Sequence, residues 1–233
     1  MRKSLPVLLI VLWLPLGVWG QEHKEALIKA CLVFDNAFVA TENFQMSYDM
    51  VMNGNTASPG TKVTHTAMYK TPSAIKMLLG NEQEILFTPG RMLVINSQHK
   101  LMHYTEDTIS NTQFFAAKLF ESFSTLIDSA QAITLAFVGD QTVFTLNFGP
   151  NYTYQFAKFC FFKNGVPNYI YSRFNQSVVN QKLYDMNIVY SNWEQKFTVE
   201  PGFPNIEKYI LKNNKAYQLT QAFQSYKLHQ SLR

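Results

Sequence analysis

From residue 44 onward the chain is a run of short segments in which apolar and polar residues alternate, and local turn formers separate them. That pattern admits few folds. In Phe44-Gln45-Met46-Ser47-Tyr48-Asp49-Met50-Val51-Met52 every even position is apolar, the signature of a strand with one buried face. Residues 53–60 (NGNTASPG) are turn formers that end it. Further strands are predicted over 62–70, 75–79, 84–87, 92–96 and 101–104, punctuated by Gly80-Asn81, Pro89-Gly90 and Ser97-Gln98-His99. Strands this short, joined by turns this local, argue for an antiparallel meander. Parallel βαβ units need long crossovers.

Two stretches break the alternation. In 22–41, Ala26, Leu27, Ala30, Cys31, Phe34, Ala37 and Phe38 recur at helical spacing and share one face. In 112–131, Phe115, Leu119, Phe123, Leu126, Ile127 and Ala130 do the same, with Thr112 placed to cap the start. Strands resume over 132–138, 142–148, 153–163, 167–174 and 182–192, with hairpin turns at Gly139-Asp140 and Asn164-Gly165. A tail from 205 carries a short segment at 206–211 and a strand near 216–219. The predicted class is α+β: a single strongly curved antiparallel sheet with the helices covering its concave face.

Residues 1–20 (MRKSLPVLLIVLWLPLGVWG) fall outside that scheme. Arg2 and Lys3 precede an apolar run, and Val18 and Gly20 are small enough for a cleavage site. This is the pattern of a secretory signal peptide, too short and too proline-broken for a membrane span. The expected organisation is a leader over 1–20, a domain over 21–204 and the tail over 205–233. Removing the leader leaves 18 basic against 16 acidic residues, a net charge of +2. With no basic run in the remainder, nucleic acid is not an expected partner. Charged residues make up only 15% of the chain and aromatic residues another 15%. Ordinary soluble domains hold about 25% charged residues, so a large apolar surface needs a place in the fold.

The sequence contains no nucleophile elbow, zinc-protease, phosphate-loop or dinucleotide-binding motif. No enzymatic activity, cofactor or metal is expected. His99 and His103 are four residues apart, but a turn followed by a strand should not bring them to one face. Asp185 and Glu194 read as solvated residues of a strand and its following loop. Cys31 and Cys160 are the only cysteines; they could form a bridge or remain two buried thiols. Seven of the nine methionines (Met46, Met50, Met52, Met68, Met77, Met92, Met102) lie between residues 46 and 102. Methionine suits surfaces that adapt to varied apolar ligands, but it fills closed cores equally well.

The stretch Lys70-Thr71-Pro72-Ser73-Ala74-Ile75-Lys76-Met77, followed by Glu84-Ile85-Leu86, Pro89 to Asn96 and Lys100-Leu101-Met102-His103-Tyr104, resembles the LolA-like family of periplasmic outer-membrane lipoprotein carriers. The opening helix, Phe44-Gln45-Met46 and the leader fit the same pattern. The resemblance implies an incomplete β-barrel whose hydrophobic cavity takes lipoprotein acyl chains or other lipid. It also implies a monomer in the periplasm that exchanges cargo with inner- and outer-membrane transfer proteins. On that reading Phe44, Met46, Tyr48, Met50, Met77 and Leu79 form a sheet wall, and Phe115, Leu119 and Phe123 form a lid. The chain departs from the family where Thr71 replaces the Arg that holds the lid closed, so that charged clamp is not carried over. The alternative is a sensor or scaffold using the same fold to bind a partner protein, which an exposed apolar face would favour.

Overall fold

The first strand after the opening helix ends up at the centre of the sheet, and this arrangement sets the rest of the architecture. In the computed structural model β1 (Phe44–Gly54) pairs antiparallel with β2 (Thr61–Thr71) on one side and with β11 (Leu183–Glu194) on the other. One meander continues outward through β3 (Ala74–Leu79), β4 (Gln83–Thr88), β5 (Arg91–Asn96) and β6 (Leu101–Glu106). The other runs from β11 back through β10 (Pro167–Phe174), β9 (Tyr154–Phe162) and β8 (Gln141–Asn147) to β7 (Ala132–Val138). With β14 (Lys227–Ser231) added beside β6, these strands make one open twelve-stranded sheet. The described residues are 16–55, 59–106, 123–178, 183–194, 197–199, 203–213 and 216–231, with side chains from residue 21 onward. None of the helices among them is long and apolar enough to cross a membrane.

The predicted class holds. The sheet is single, curved and unclosed, antiparallel except at β14, and its helices lie on one face. Strand alternation explains the pairing. Met46 sits opposite Met68 and Trp193, and Met68 opposite Met77, so the apolar positions of four strands fall on one inner face. A slip of one residue would turn each such row to the other side. Turn chemistry supports the register. Gly139 has φ +61 in the two-residue turn that joins β7 to β8, a conformation other residues rarely adopt.

The helix α1 (Leu16–Ala40) lies over the inner face, and its first turn falls within the predicted leader. Leu27 and Cys31 join a cluster with Ile127, Ile133, Phe144, Leu146, Ala157 and Phe159. One to two turns further on, Phe34 and Phe38 join a second cluster with Phe44, Met46, Met68, Ile75 and Met77. A short helix, α2 (123–128), belongs to the first cluster through Phe123, Leu126 and Ile127. Lys24 pairs with Asp128 at 2.8 Å, and His23 Nδ1 donates to the Ile133 carbonyl oxygen at 3.1 Å, which ties α1 to α2 and β7. Gly165, in the turn after β9, has φ +81, and a Cβ there would come within 2.9 Å of Val33 on α1. Only glycine lets that turn approach the helix so closely.

The tail packs against the opposite, outer face. A 3-10 turn (Ile206–Lys208), β12 (Ile210–Asn213) and β13 (Ala216–Leu219) place Ile206, Tyr209, Ile210 and Tyr217 over Leu86, Leu93, Ile95, Met102 and Tyr104. The strands β4–β6 therefore have apolar residues on both faces, which explains the unbroken run Met92-Leu93-Val94-Ile95. Glu106 accepts from the Tyr217 hydroxyl, and Arg91 bonds Glu207 at 2.6 Å, fastening the tail to the sheet.

Candidate functional site

Around β1–β3 the inner face offers a largely apolar wall. Of the residues expected to form its sheet side, Phe44, Met46 and Met77 are buried, at 0%, 4% and 8% exposure. Tyr48 and Leu79 pack against the same cluster. Met50 is half-buried on the same strand face, opposite Ile188 and Thr64. The structure brings all of these except Met50 into one cluster with Phe34 and Phe38 of α1. Trp193 was absent from the sequence expectation and stands at the centre, with ring centres 4.9 Å from Phe34 and 4.6 Å from Phe44. Its position opposite Met46 follows from β11 running two residues beyond the predicted strand, to Glu194.

The expected lid is only partly within view. Thr112, Phe115 and Leu119 lie outside the described residues. Phe123 meets Phe159 edge-on at 5.4 Å, in the first cluster rather than against the Phe44–Met77 wall. Between the two clusters, Cys31, Phe34, Phe123, Phe159, Ile170 and Tyr190 border a cavity of about 10 Å³. That is room for one water at most, so the two clusters meet closely at this point. Burial pushes the Tyr190 hydroxyl, on this cavity's rim, well above the ordinary phenol range.

Two charged residues interrupt the apolar surroundings. Asp35 lies on α1 between Phe34 and Phe38 and is 8% exposed; burial raises its carboxyl to about 6. Removal from water disfavours the ionised form, so a carboxyl in such a place holds its proton to higher pH. Lys70, at the end of β2, is 5% exposed. Its Nζ donates to the carbonyl oxygens of Val39 (3.2 Å) and Thr41 (2.6 Å) and lies 5.2 Å from the Phe38 ring centre. A cation at the C-terminal end of a helix satisfies free carbonyls and the helix dipole together. Thr71 makes only a local bond, from its hydroxyl to the Ala74 carbonyl oxygen at 3.3 Å. Lysine on the inner parity of an otherwise apolar strand end was the available signal.

The remaining polar candidates do not converge on the cavity. Cys31 and Cys160 are both free and buried, with no bridge between them. Burial, aided by Asp35, pushes the Cys31 thiol up to about 12. Asp185 is buried at 7% exposure, contrary to the solvated position expected for it. Asn53 Nδ2 donates to it at 2.7 Å and the Tyr171 hydroxyl at 3.0 Å, since both neighbours reach across from adjacent strands. His65 and Asp49 pair at 2.7 Å on the outer face, where both are largely exposed. Among the described residues no group of three or more His, Cys, Asp or Glu could hold a metal.

The sequence matches no known family model and no curated protein. Among solved structures, an uncharacterized conserved protein from Thermus thermophilus is similar over 75% of this chain and 89% of its own, with 6% identity and a TM-score of 0.42. A LolA superfamily protein from Nitrosomonas europaea is similar over 76% and 94%, with 10% identity and a TM-score of 0.31. A putative outer membrane lipoprotein-sorting protein domain from Vibrio parahaemolyticus covers 76% and 95%, with 8% identity and a TM-score of 0.34.

Proposed function

We propose that this protein is a non-enzymatic periplasmic carrier that takes an acyl chain of a lipoprotein, or a related lipid, between α1 and the inner face of the sheet. One observation carries the reading. The inner wall is lined by flexible and aromatic side chains (Met46, Met68, Met77, Phe44, Trp193) and is covered, among the described residues, by a helix that meets it through Phe34 and Phe38. A lipid can replace such a helix in kind. Each buried methylene contributes about 0.8 kcal/mol, so roughly ten of them offset about 8 kcal/mol. Burying a Phe side chain is worth about 1.5–3 kcal/mol. Detaching Phe34 and Phe38 is therefore within the reach of one chain. Because the cavity holds only about 10 Å³, loading requires α1 to move away from the wall. Coverage of this face, where it is described, favours a carrier over a scaffold that docks a partner on an exposed surface.

The test uses the leader-free protein, in which Trp193 is the sole tryptophan. Extraction of the purified protein should yield bound lipid, and a delipidated sample should bind a fluorescent fatty acid saturably while the Trp193 emission changes. Absence of both bound lipid and fatty-acid binding overturns the proposal.

A further inference from the structure

On the outer face of the sheet, away from the wall beneath α1, strands β9, β10 and β11 form a basic and aromatic depression. Ile170 packs into the inner cluster, so Tyr169, Tyr171 and Arg173 of the same strand stand on the opposite face. The register sets Lys158 and Asn187 on either side of Tyr171, and Phe156 and Asp185 on either side of Arg173. Phe156, Lys158, Tyr169, Tyr171, Arg173 and Asn187 border one depression of about 400 Å³. Lys158 Nζ and the Arg173 guanidinium carbon lie 5.8 and 5.5 Å from the centre of the same Phe156 ring, so the two cations share one wall.

Arg173 is fixed by its neighbours. Its Nη2 donates to the Tyr171 hydroxyl oxygen at 3.2 Å, and that hydroxyl donates to one Asp185 oxygen at 3.0 Å. The other Asp185 oxygen accepts from Asn53 at 2.7 Å. The carboxylate is engaged by these bonds, and among the described residues neither Arg173 nor Lys158 forms an ion pair. Two buried atoms of the lining, Arg173 Nε and Asn187 Oδ1, have no hydrogen-bond partner among the described residues. Buried polar groups are normally satisfied, so the guanidinium is short of an acceptor.

We propose that this depression binds a phosphate group, held by Arg173 and Lys158. Both cations are half-buried, where charge is screened less than on an open surface. A guanidinium presents a planar fork that matches two phosphate oxygens, and an ammonium can take a third as a point charge. A carboxylate has only two oxygens, and the arginine fork alone uses both. The same phosphate chemistry belongs to the headgroup of an anionic phospholipid and to a soluble phosphate ester.

Titration calorimetry with glycerol phosphate tests the soluble source. Co-sedimentation with vesicles of phosphatidylcholine and phosphatidylglycerol in equal parts, against phosphatidylcholine alone, tests the lipid source. Binding in the first assay assigns a soluble ester, and binding confined to the phosphatidylglycerol vesicles assigns a headgroup. In whichever assay binding is seen, Lys158→Gln and Arg173→Lys should each weaken it about tenfold. Arg173→Lys keeps the charge and loses the fork. Lys158 makes no hydrogen bond through its side chain among the described residues, so its variant should keep the fold. Lys227→Gln removes the same charge from exposed β14, outside the depression, and should leave binding nearly unchanged. The proposal is overturned if neither probe binds, if Arg173→Lys binds as tightly as the original, or if Lys227→Gln weakens binding as much as Lys158→Gln.

Discussion

Replacing Asp35 by Asn tests how α1 is held against the sheet. The carboxyl is 8% exposed, and burial raises its pKa from 3.8 to about 6. The sign follows from linkage. A carboxyl whose pKa is raised on folding binds its proton more tightly in the folded state, so the folded state is favoured at low pH and loses that advantage as pH rises. The loss sets in near pH 3.8, is nearly complete a little above pH 6, and stays constant beyond. At about 1.36 kcal/mol for each pKa unit, the full penalty is about 3 kcal/mol. Asparagine keeps the size and removes the charge, but its amide is also buried, which takes back about 1 kcal/mol or more. Asp35→Asn should therefore be more stable than the original by about 1–2 kcal/mol at neutral pH. In acid, where Asp35 is itself neutral, that penalty is gone and Asp35→Asn should be the less stable of the two by about 1 kcal/mol. Urea unfolding of both proteins at a series of pH values from 3.5 to 8, followed through Trp193, measures that difference directly. A difference that stays constant across the range, or grows toward low pH, would refute the account of Asp35 as a buried carboxyl that must ionise against its surroundings.

Two other outcomes are expected from the site. Lys70→Met keeps the apolar stem but removes the two hydrogen bonds to the Val39 and Thr41 carbonyl oxygens at the end of α1; it should cost about 1.5–3 kcal/mol in urea unfolding. If α1 covers the lipid path, the same variant should load a fluorescent fatty acid faster; slower loading would argue against that role. Cys31 and Cys160 are buried, and burial raises both thiols. A thiol reagent should therefore modify neither at neutral pH until the protein unfolds, as mass spectrometry before and after denaturation can check.

Much of the sheet could be read from the sequence because its determinants are local. Alternation in 44–52, the hairpin at Gly139-Asp140 and the limits of β7, β10 and β13 need no knowledge of distant residues. The exceptions depend on what lies across the fold. Strand β14 (KLHQS) has one apolar residue and no alternation, and it becomes a strand by pairing with β6, more than a hundred positions earlier. Asp35 and Lys70 left visible signals, a charge inside an apolar stripe and a charge on an apolar strand face. The bonds of Lys70 and the burial of Asp35 depend on other elements, so their roles did not follow from spacing. Asp185 is buried for the same reason, held by Asn53 and Tyr171 from neighbouring strands.

The central place of β1 also carries a consequence for how the chain assembles in time. Met46 pairs with Met68 within one hairpin, but its other neighbour is Trp193, nearly 150 residues downstream. As the chain emerges from its N-terminus, β1–β6 can form early, yet the free edge of β1 stays unpaired until β11 arrives. The edge of β6 waits longer still, for the last strand of the protein. Contacts this distant in sequence slow folding and leave unpaired edges open to association with other chains. During that interval the half-built sheet presents its inner apolar wall and both edges to solvent. A protein built this way depends on holding factors, or on rapid completion of its own C-terminal half, to reach the folded state as a single molecule.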